Sequence, residues 1–164
     1  MKPADLASLL REFHRDKLAL RQRHVAAARR VAQYAANNTY QYVINREDLH
    51  LSWLEAALAE LETLPEDVPE PKLPGLVRNE SFMPLVEKDA TDAAAFVARW
   101  RPRVAEMTHA RHRSLLEVIL GETAEQKRSF EQIVAGREDA LGRRSNGPGS
   151  PGTGDGVLGV RWIE

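Results

Sequence analysis

Between residues 4 and 64 the chain contains neither glycine nor proline, and Ala, Leu, Arg and Glu dominate it. These residues lose least on entering a helix, so the whole stretch reads as helical. Unbroken, it would form a rod of about 90 Å at a rise of about 1.5 Å per residue, far longer than one small domain. A reversal is therefore expected. Residues 36–39, Ala-Asn-Asn-Thr, offer it, because Asn tolerates the left-handed conformation and Asn and Thr both cap helices. The reading gives a first helix over 4–35 and a second over 39–64.

Each helix carries a stripe of residues at alternating steps of four and three, the face that a helix turns towards its neighbours. On the first these are Leu6, Leu10, Phe13, Lys17, Leu20, His24, Ala27, Val31 and Tyr34. On the second they are Val43, Glu47, His50, Leu54, Ala57 and Leu61. Lys17, His24, Glu47 and His50 break the apolar pattern, and burying such groups without partners costs several kcal/mol. A metal ion is one partner that would explain them. Glu-x-x-His puts a carboxylate oxygen and an imidazole nitrogen one turn apart on a single face, the pair with which di-iron and di-manganese bundles build their centres. Antiparallel pairing about Asn38 sets residue 24 level with about residue 52, which makes His24 a neighbour of Glu47 and His50. A core histidine hydrogen-bonded to a neighbouring side chain is the alternative.

Pro65, Pro69, Pro71, Pro74 and Gly75 then end the helical periodicity. The segment up to about residue 88 reads as an extended connection, long enough to run the length of a bundle. A short third helix is expected over 91–100, with Pro102 in the first turn of a fourth over about 103–134. That fourth helix is apolar through Leu115, Leu116, Val118, Ile119, Leu120, Phe130 and Ile133, and Gly121 inside it implies close packing or a local kink. Its two polar clusters, Glu106/His109/His112 and Glu122/Glu125, lie about 24 Å apart along the axis and cannot serve one site. With a long connection after the second helix, the first and fourth run parallel, so residue 24 stands level with about residue 123. Height thus favours Glu122 and Glu125 as companions of His24, Glu47 and His50. Glu106-x-x-His109 reads either as a helix start or as a second metal pair.

Composition narrows the possibilities. At 164 residues and 43% apolar content the chain makes one bundle with appendages. It has no run of about 18 apolar residues, and residues 1–28 lack the apolar block of a signal peptide, so no membrane and a cytoplasmic location are expected. Cysteine is absent, which leaves His and carboxylates as metal ligands and suits iron or manganese. A net charge of -1 predicts no general attraction to nucleic acid. The charge is uneven, with nine Lys/Arg against three Asp/Glu in 1–46, then eight acids and no Lys or Arg in 47–70, which reads as two helices with complementary surfaces. No Ser-His-Asp set or glycine loop points to hydrolase or nucleotide chemistry, so catalytic residues stay unassigned.

Glu47-Asp48-Leu49-His50, followed by Trp53-Leu54, resembles the second-helix ligand segment of ferritin-like proteins of the rubrerythrin type. Glu122-Thr123-Ala124-Glu125-Gln126-Lys127-Arg128 is similar to the fourth-helix segment, where that family has Glu-x-x-His followed by an acidic residue and Lys-Arg. The resemblance implies an all-α, ferritin-like four-helix bundle over 1–141 with a long crossover between helices two and three. It also implies iron or manganese held by Glu47, His50, Glu122, Glu125 and His24, with at most a di-iron oxidase or peroxidase type of activity. A homo-oligomer is expected. Three features depart from the family: Glu125 stands where it has His, the first helix has no stripe carboxylate at the right height, and the third offers only Asp89 and Asp92. Because that centre draws a carboxylate from each helix, one metal, a rearranged pair and no metal all stay open.

After Leu141 the composition changes abruptly. Residues 142–156 hold six Gly and two Pro, a flexible linker that cannot bury a core, and the apolar peptide 157–164 follows. Leu, Val, Trp and Ile on such a tether are normally buried somewhere. They either fold back on this bundle or a sister subunit, or dock on another protein through alternate side chains. Asp155-Gly156-Val157-Leu158-Gly159-Val160-Arg161-Trp162-Ile163 resembles the cargo-loading peptide of encapsulin cargo proteins, which has Asp-Gly-x-Leu-Gly-Ile/Val and then Leu/Ile, although Arg161-Trp162 replaces the small residues usual there. Ferritin-like proteins are a cargo class of those shells, so the resemblance implies an encapsulin shell as partner. Two functions follow: a metalloprotein handling iron, oxygen or peroxide, or a metal-free bundle acting as an interaction or cargo module through 157–164.

Overall fold

The computed structural model describes residues 2–75 and 80–141, which form four helices and no strand. They are α1 (Pro3–Ala28), α2 (Tyr34–Glu60), α3 (Met83–Ala105) and α4 (Ala110–Val134). The linker 142–156 and the peptide 157–164 lie outside the described residues.

α1 packs against α2 and α3, and α4 against α3 and α2, so α1 and α4 take one diagonal of an all-α bundle. Ion pairs fix the directions. Arg21–Asp48 and His14–Glu55 join α1 to α2 antiparallel, Arg103–Glu12 and Arg23–Asp89 do the same for α1 and α3, and Arg46–Glu122 and Arg111–Glu60 for α2 and α4. α1 and α4 therefore run parallel. The connection after α2 allows this by returning along α1: Glu66 pairs with Arg11, Val68 accepts from Gln22, and Pro74 accepts from Arg30.

The first reversal falls at 29–33, ahead of the expected 36–39. Gln33 caps α2 by accepting from the Ala36 N–H at 3.2 Å. Asn37 stands just inside α2, and its amide donates to the Ala28 and Val31 carbonyls at 2.9 and 3.0 Å. It closes the loop from within the helix instead of forming it. α2 ends at Glu60 rather than 64, and Glu62 follows at a φ of 51°. α3 extends well beyond the expected 91–100. Pro84 occupies its first turn, where no N–H partner is needed, and Val86, Ala90 and Val104 are buried along the two extensions. Pro102 sits inside α3 instead of opening α4, which starts only after His109 caps it. Nor does Gly121 mark a break or a tight contact: α4 runs through it, and a Cβ placed there would meet no atom within 4 Å.

The interior has two apolar clusters. One gathers Phe13, Leu54, Leu58, Trp100, Leu116 and Ile119, with the Phe13 and Trp100 rings 4.8 Å apart. The other gathers Ala27, Tyr40, Val43, Val86, Phe130 and Ile133. On α2 and α4 the residues between them are polar yet buried: Glu47 and His50, and Thr123 and Gln126. α1 adds Lys17 and His24, and α3 adds Asp89.

Candidate functional site

Lys17, His24, Glu47 and His50 are each 0% exposed, so every charge and proton on them must be satisfied inside the bundle. The Lys17 ammonium does this with three acceptors for three protons. It donates to Glu47 Oε1 at 2.9 Å, Thr123 Oγ1 at 3.0 Å and Gln126 Oε1 at 3.3 Å. Thr123 directs its own hydroxyl proton to the Ile119 carbonyl at 2.8 Å, which leaves its oxygen free to accept. Glu47 Oε2 lies 2.8 Å from His24 Nδ1, and because a carboxylate only accepts, Nδ1 carries the proton. Burial pushes the Glu47 carboxyl up, but the neighbouring His24 and Lys17 outweigh it and hold the group at about 2. The buried carboxyl is thus ionised at neutral pH.

Two further couples flank this pair. Arg46 donates to both oxygens of Glu122, at 3.0 and 2.6 Å, and His50 Nε2 lies 2.7 Å from the same carboxylate. Burial and the Lys17 charge lower the His50 pKa against the pull of Glu122, so the ring is neutral and donates through Nε2. Asp89 accepts from Arg23 at 2.8 Å and from the Tyr40 hydroxyl. Burial raises Asp89, which His24, Tyr40 and Arg23 counter only in part, while burial and the Asp89 charge push Tyr40 up. Each of these three carboxylates therefore has a cation beside it: Lys17 for Glu47, Arg46 for Glu122 and Arg23 for Asp89.

Of the five residues expected to share a site, His24, Glu47, His50 and Glu122 come together as two hydrogen-bonded couples. Glu125 does not. It is exposed and pairs with Arg128 at 3.2 Å. The inward face of α4 is Leu116, Ile119, Thr123, Gln126, Phe130 and Ile133, one residue out of phase with the expected Glu122/Glu125, and one residue turns a helix by about 100°. Glu122 stays at the edge of that face, with 32% of its side chain exposed. The heights differ too. His24 sits against Glu47 and the Phe130 ring, 5.1 Å away, rather than beside residues 52 and 123, and Lys17 is the α1 residue that reaches Thr123. At the other end His109 caps α4, its Nδ1 facing the His112 backbone N–H at 3.5 Å and ring nitrogen at 2.8 Å, while Glu106 ends α3. Of that pair only His109 stands at a helix start; Glu106 belongs to the end of the preceding helix.

A ferritin-type dimetal centre draws carboxylates from all four helices. Here α1 presents an ammonium, the α3 carboxylate is held by Arg23 and Tyr40, and the second acid of α4 lies on the surface. Among the described residues no three His, Asp or Glu side chains are grouped to hold a metal ion. The donor set does not fit such a centre. A surface opening of about 270 Å³, lined by Tyr42, Arg46, Glu122, Glu125, Gln126 and Ser129, leads to Gln126, whose amide nitrogen is buried and has no partner among the described residues. Compared with known proteins, the chain matches no family model, no curated protein and no solved structure.

Proposed function

We propose that the chain is a ferritin-like bundle that needs no metal and works as an interaction or cargo module through residues 157–164. The observation that carries this is the Lys17 ammonium, fully buried and bonded to Glu47, Thr123 and Gln126 among the groups that would otherwise be ligands. Its charge balances Glu47, the one fully buried glutamate among the described residues, so the polar layer has a structural role and leaves no charge for a metal to neutralise. The helix order supports the architecture: two antiparallel hairpins, a long connection running back along α1, and α1 parallel to α4. The working part is then the 157–164 peptide, and its resemblance to a cargo-loading peptide makes an encapsulin shell the proposed partner. Co-expression with a shell protein tests this. The full chain is expected to co-elute with assembled shells and a chain lacking 157–164 to elute free; equal behaviour of the two refutes it. The competing metal-centre reading draws on the neighbouring couples His24–Glu47 and His50–Glu122, but it requires Lys17 to leave. Protein from iron-supplemented cells separates the two: less than about 0.2 metal ions per chain supports the metal-free reading, and one or more supports the other.

A further inference from the structure

We infer that the outer face of α2 and α4 joins two copies of this chain into an antiparallel dimer with two-fold symmetry, α2 lying on α2 and α4 on α4. The inference stands apart from the metal content of the core and from the partner of residues 157–164. Of the four neighbouring helix pairs, α2 and α4 pack most loosely. Between their outer edges lies a groove of about 440 Å³, lined by Trp53, Ala56, Leu115 and Val118, with Glu60 and Arg111 beside them. Six large apolar side chains are exposed among the described residues, and three of them, Tyr42, Leu49 and Val118, stand on the helix stripes that run along this face. Single exposed apolar residues are ordinary, but a contiguous patch beside a groove marks an interaction surface.

The charges say what covers it. Two ion pairs between the helices bound the apolar patch, Arg46–Glu122 at 2.6 Å on one side and Arg111–Glu60 at 2.9 Å on the other. Along α2, Arg46 and Glu60 stand at equal distances on either side of Trp53. Along α4, Arg111 and Glu122 stand at equal distances from the midpoint between Leu115 and Val118. A second copy turned end over end about the level of Trp53 therefore meets every charge with its opposite. Glu60 faces the partner's Arg46, Arg111 faces the partner's Glu122, and the symmetry repeats both contacts.

Shape selects this arrangement over the other two-fold one. Leu49 lies about one helical turn from Trp53 on one side, and the groove at Ala56 and Ala57 lies about one turn away on the other. End-over-end rotation thus sets the partner's Leu49 over the groove. Rotation about the length of the bundle also pairs opposite charges, but it lays groove on groove and fills neither. From Tyr42 to Glu60 the face is about 27 Å long and about 20 Å wide across two helices, or about 500 Å² per partner, close to the least area of a specific interface. Leu49, Trp53 and Val118 supply the affinity, and the half-exposed charges set the register.

Sedimentation velocity on the full-length native, Leu49→Glu and Glu60→Arg/Arg111→Glu chains tests this, with circular dichroism to show that helix content is kept. The double exchange preserves the ion pair within the chain but sets Arg against the partner's Arg46 and Glu against the partner's Glu122. The native chain is expected to be a dimer at about 20 μM, and each variant to raise the dimer Kd at least about 30-fold. A native chain that stays monomeric at about 100 μM overturns the inference. So does a dimer that survives Leu49→Glu, which places the contact on another face, or one that survives the double exchange, which requires the other rotation. A chain that dimerises only when residues 157–164 are deleted has its own tail in the groove, and this also overturns it.

Discussion

Glu47→Gln isolates the charge on which the core depends. The substitution keeps the side chain's volume, and Lys17 retains Thr123, Gln126 and one amide oxygen, yet the buried ammonium loses its counter-charge. The new amide hydrogens also face the His24 Nδ1 proton, donor against donor. Removing one partner of a buried ion pair costs about 3–5 kcal/mol, because the other charge is left uncompensated. Proton linkage gives a similar size. The folded carboxyl stands at about 2 against an ordinary 4.5, and at about 1.36 kcal/mol per unit this amounts to about 3 kcal/mol at neutral pH. Since the folded value is depressed, that stability is fully present above about 4.5 and is lost as pH falls towards about 2. Urea unfolding of both proteins from neutral pH down to about pH 2 measures it. The variant is expected to be about 3 kcal/mol less stable at neutral pH, with the gap closing on acidification. A gap below about 1 kcal/mol, or one that does not change with pH, refutes the reasoning.

Gly121→Ala should stabilise the chain by about 1 kcal/mol, since the added methyl enters open space within a continuous helix; chemical denaturation checks it, and destabilisation would reveal an unseen neighbour. Asn37→Ala should cost about 1–2 kcal/mol, because the Ala28 and Val31 carbonyls both lose the amide donor and Ala28 keeps only the Val31 N–H, and a change in urea midpoint without a change in slope is the expected signature. His50, lowered by burial and by Lys17, stays neutral when folded, so its contribution is full above the ordinary 6.5 and falls as pH drops below it, when the unfolded ring takes up a proton first. His50→Gln should flatten the stability profile just below that pH, and an unchanged slope would count against the assignment.

The glycine- and proline-free stretch and the proline cluster after it made a helical hairpin and a long return connection readable from residue types alone, because both depend on local backbone preference. The burial of Lys17, His24, Glu47 and His50 was equally readable, being fixed by their steps along apolar stripes. What the stripes do not encode is phase and height between helices. α4 starts at Ala110 and not at about 103, a difference of about 10 Å along the axis, so levels counted from helix starts are displaced and His24 lies against the turn of Phe130 rather than that of Thr123. On α4, Glu122 and Thr123 are adjacent and both polar, and only the packing of Ile119 and Phe130 shows that Thr123 faces inward. Lys17 was visible as a polar break in its stripe, but its partners come from helices 30 and 106 residues away. Tyr40 and Arg46 carried no sequence signal of their own, since each acts only through a partner on another helix.

The central claim is that the cation in this core is the ammonium of Lys17, and nitrogen-15 NMR of the lysine side chains tests it most directly. The chain has five lysines, and among the described residues Lys17 is the one that is fully buried. One ammonium resonance protected from solvent exchange at neutral pH, lost in Lys17→Met and shifted in Glu47→Gln, is the predicted result. Rapid exchange of all five ammonium groups, or a Lys17 nitrogen titrating as a neutral amine near neutral pH, would contradict it.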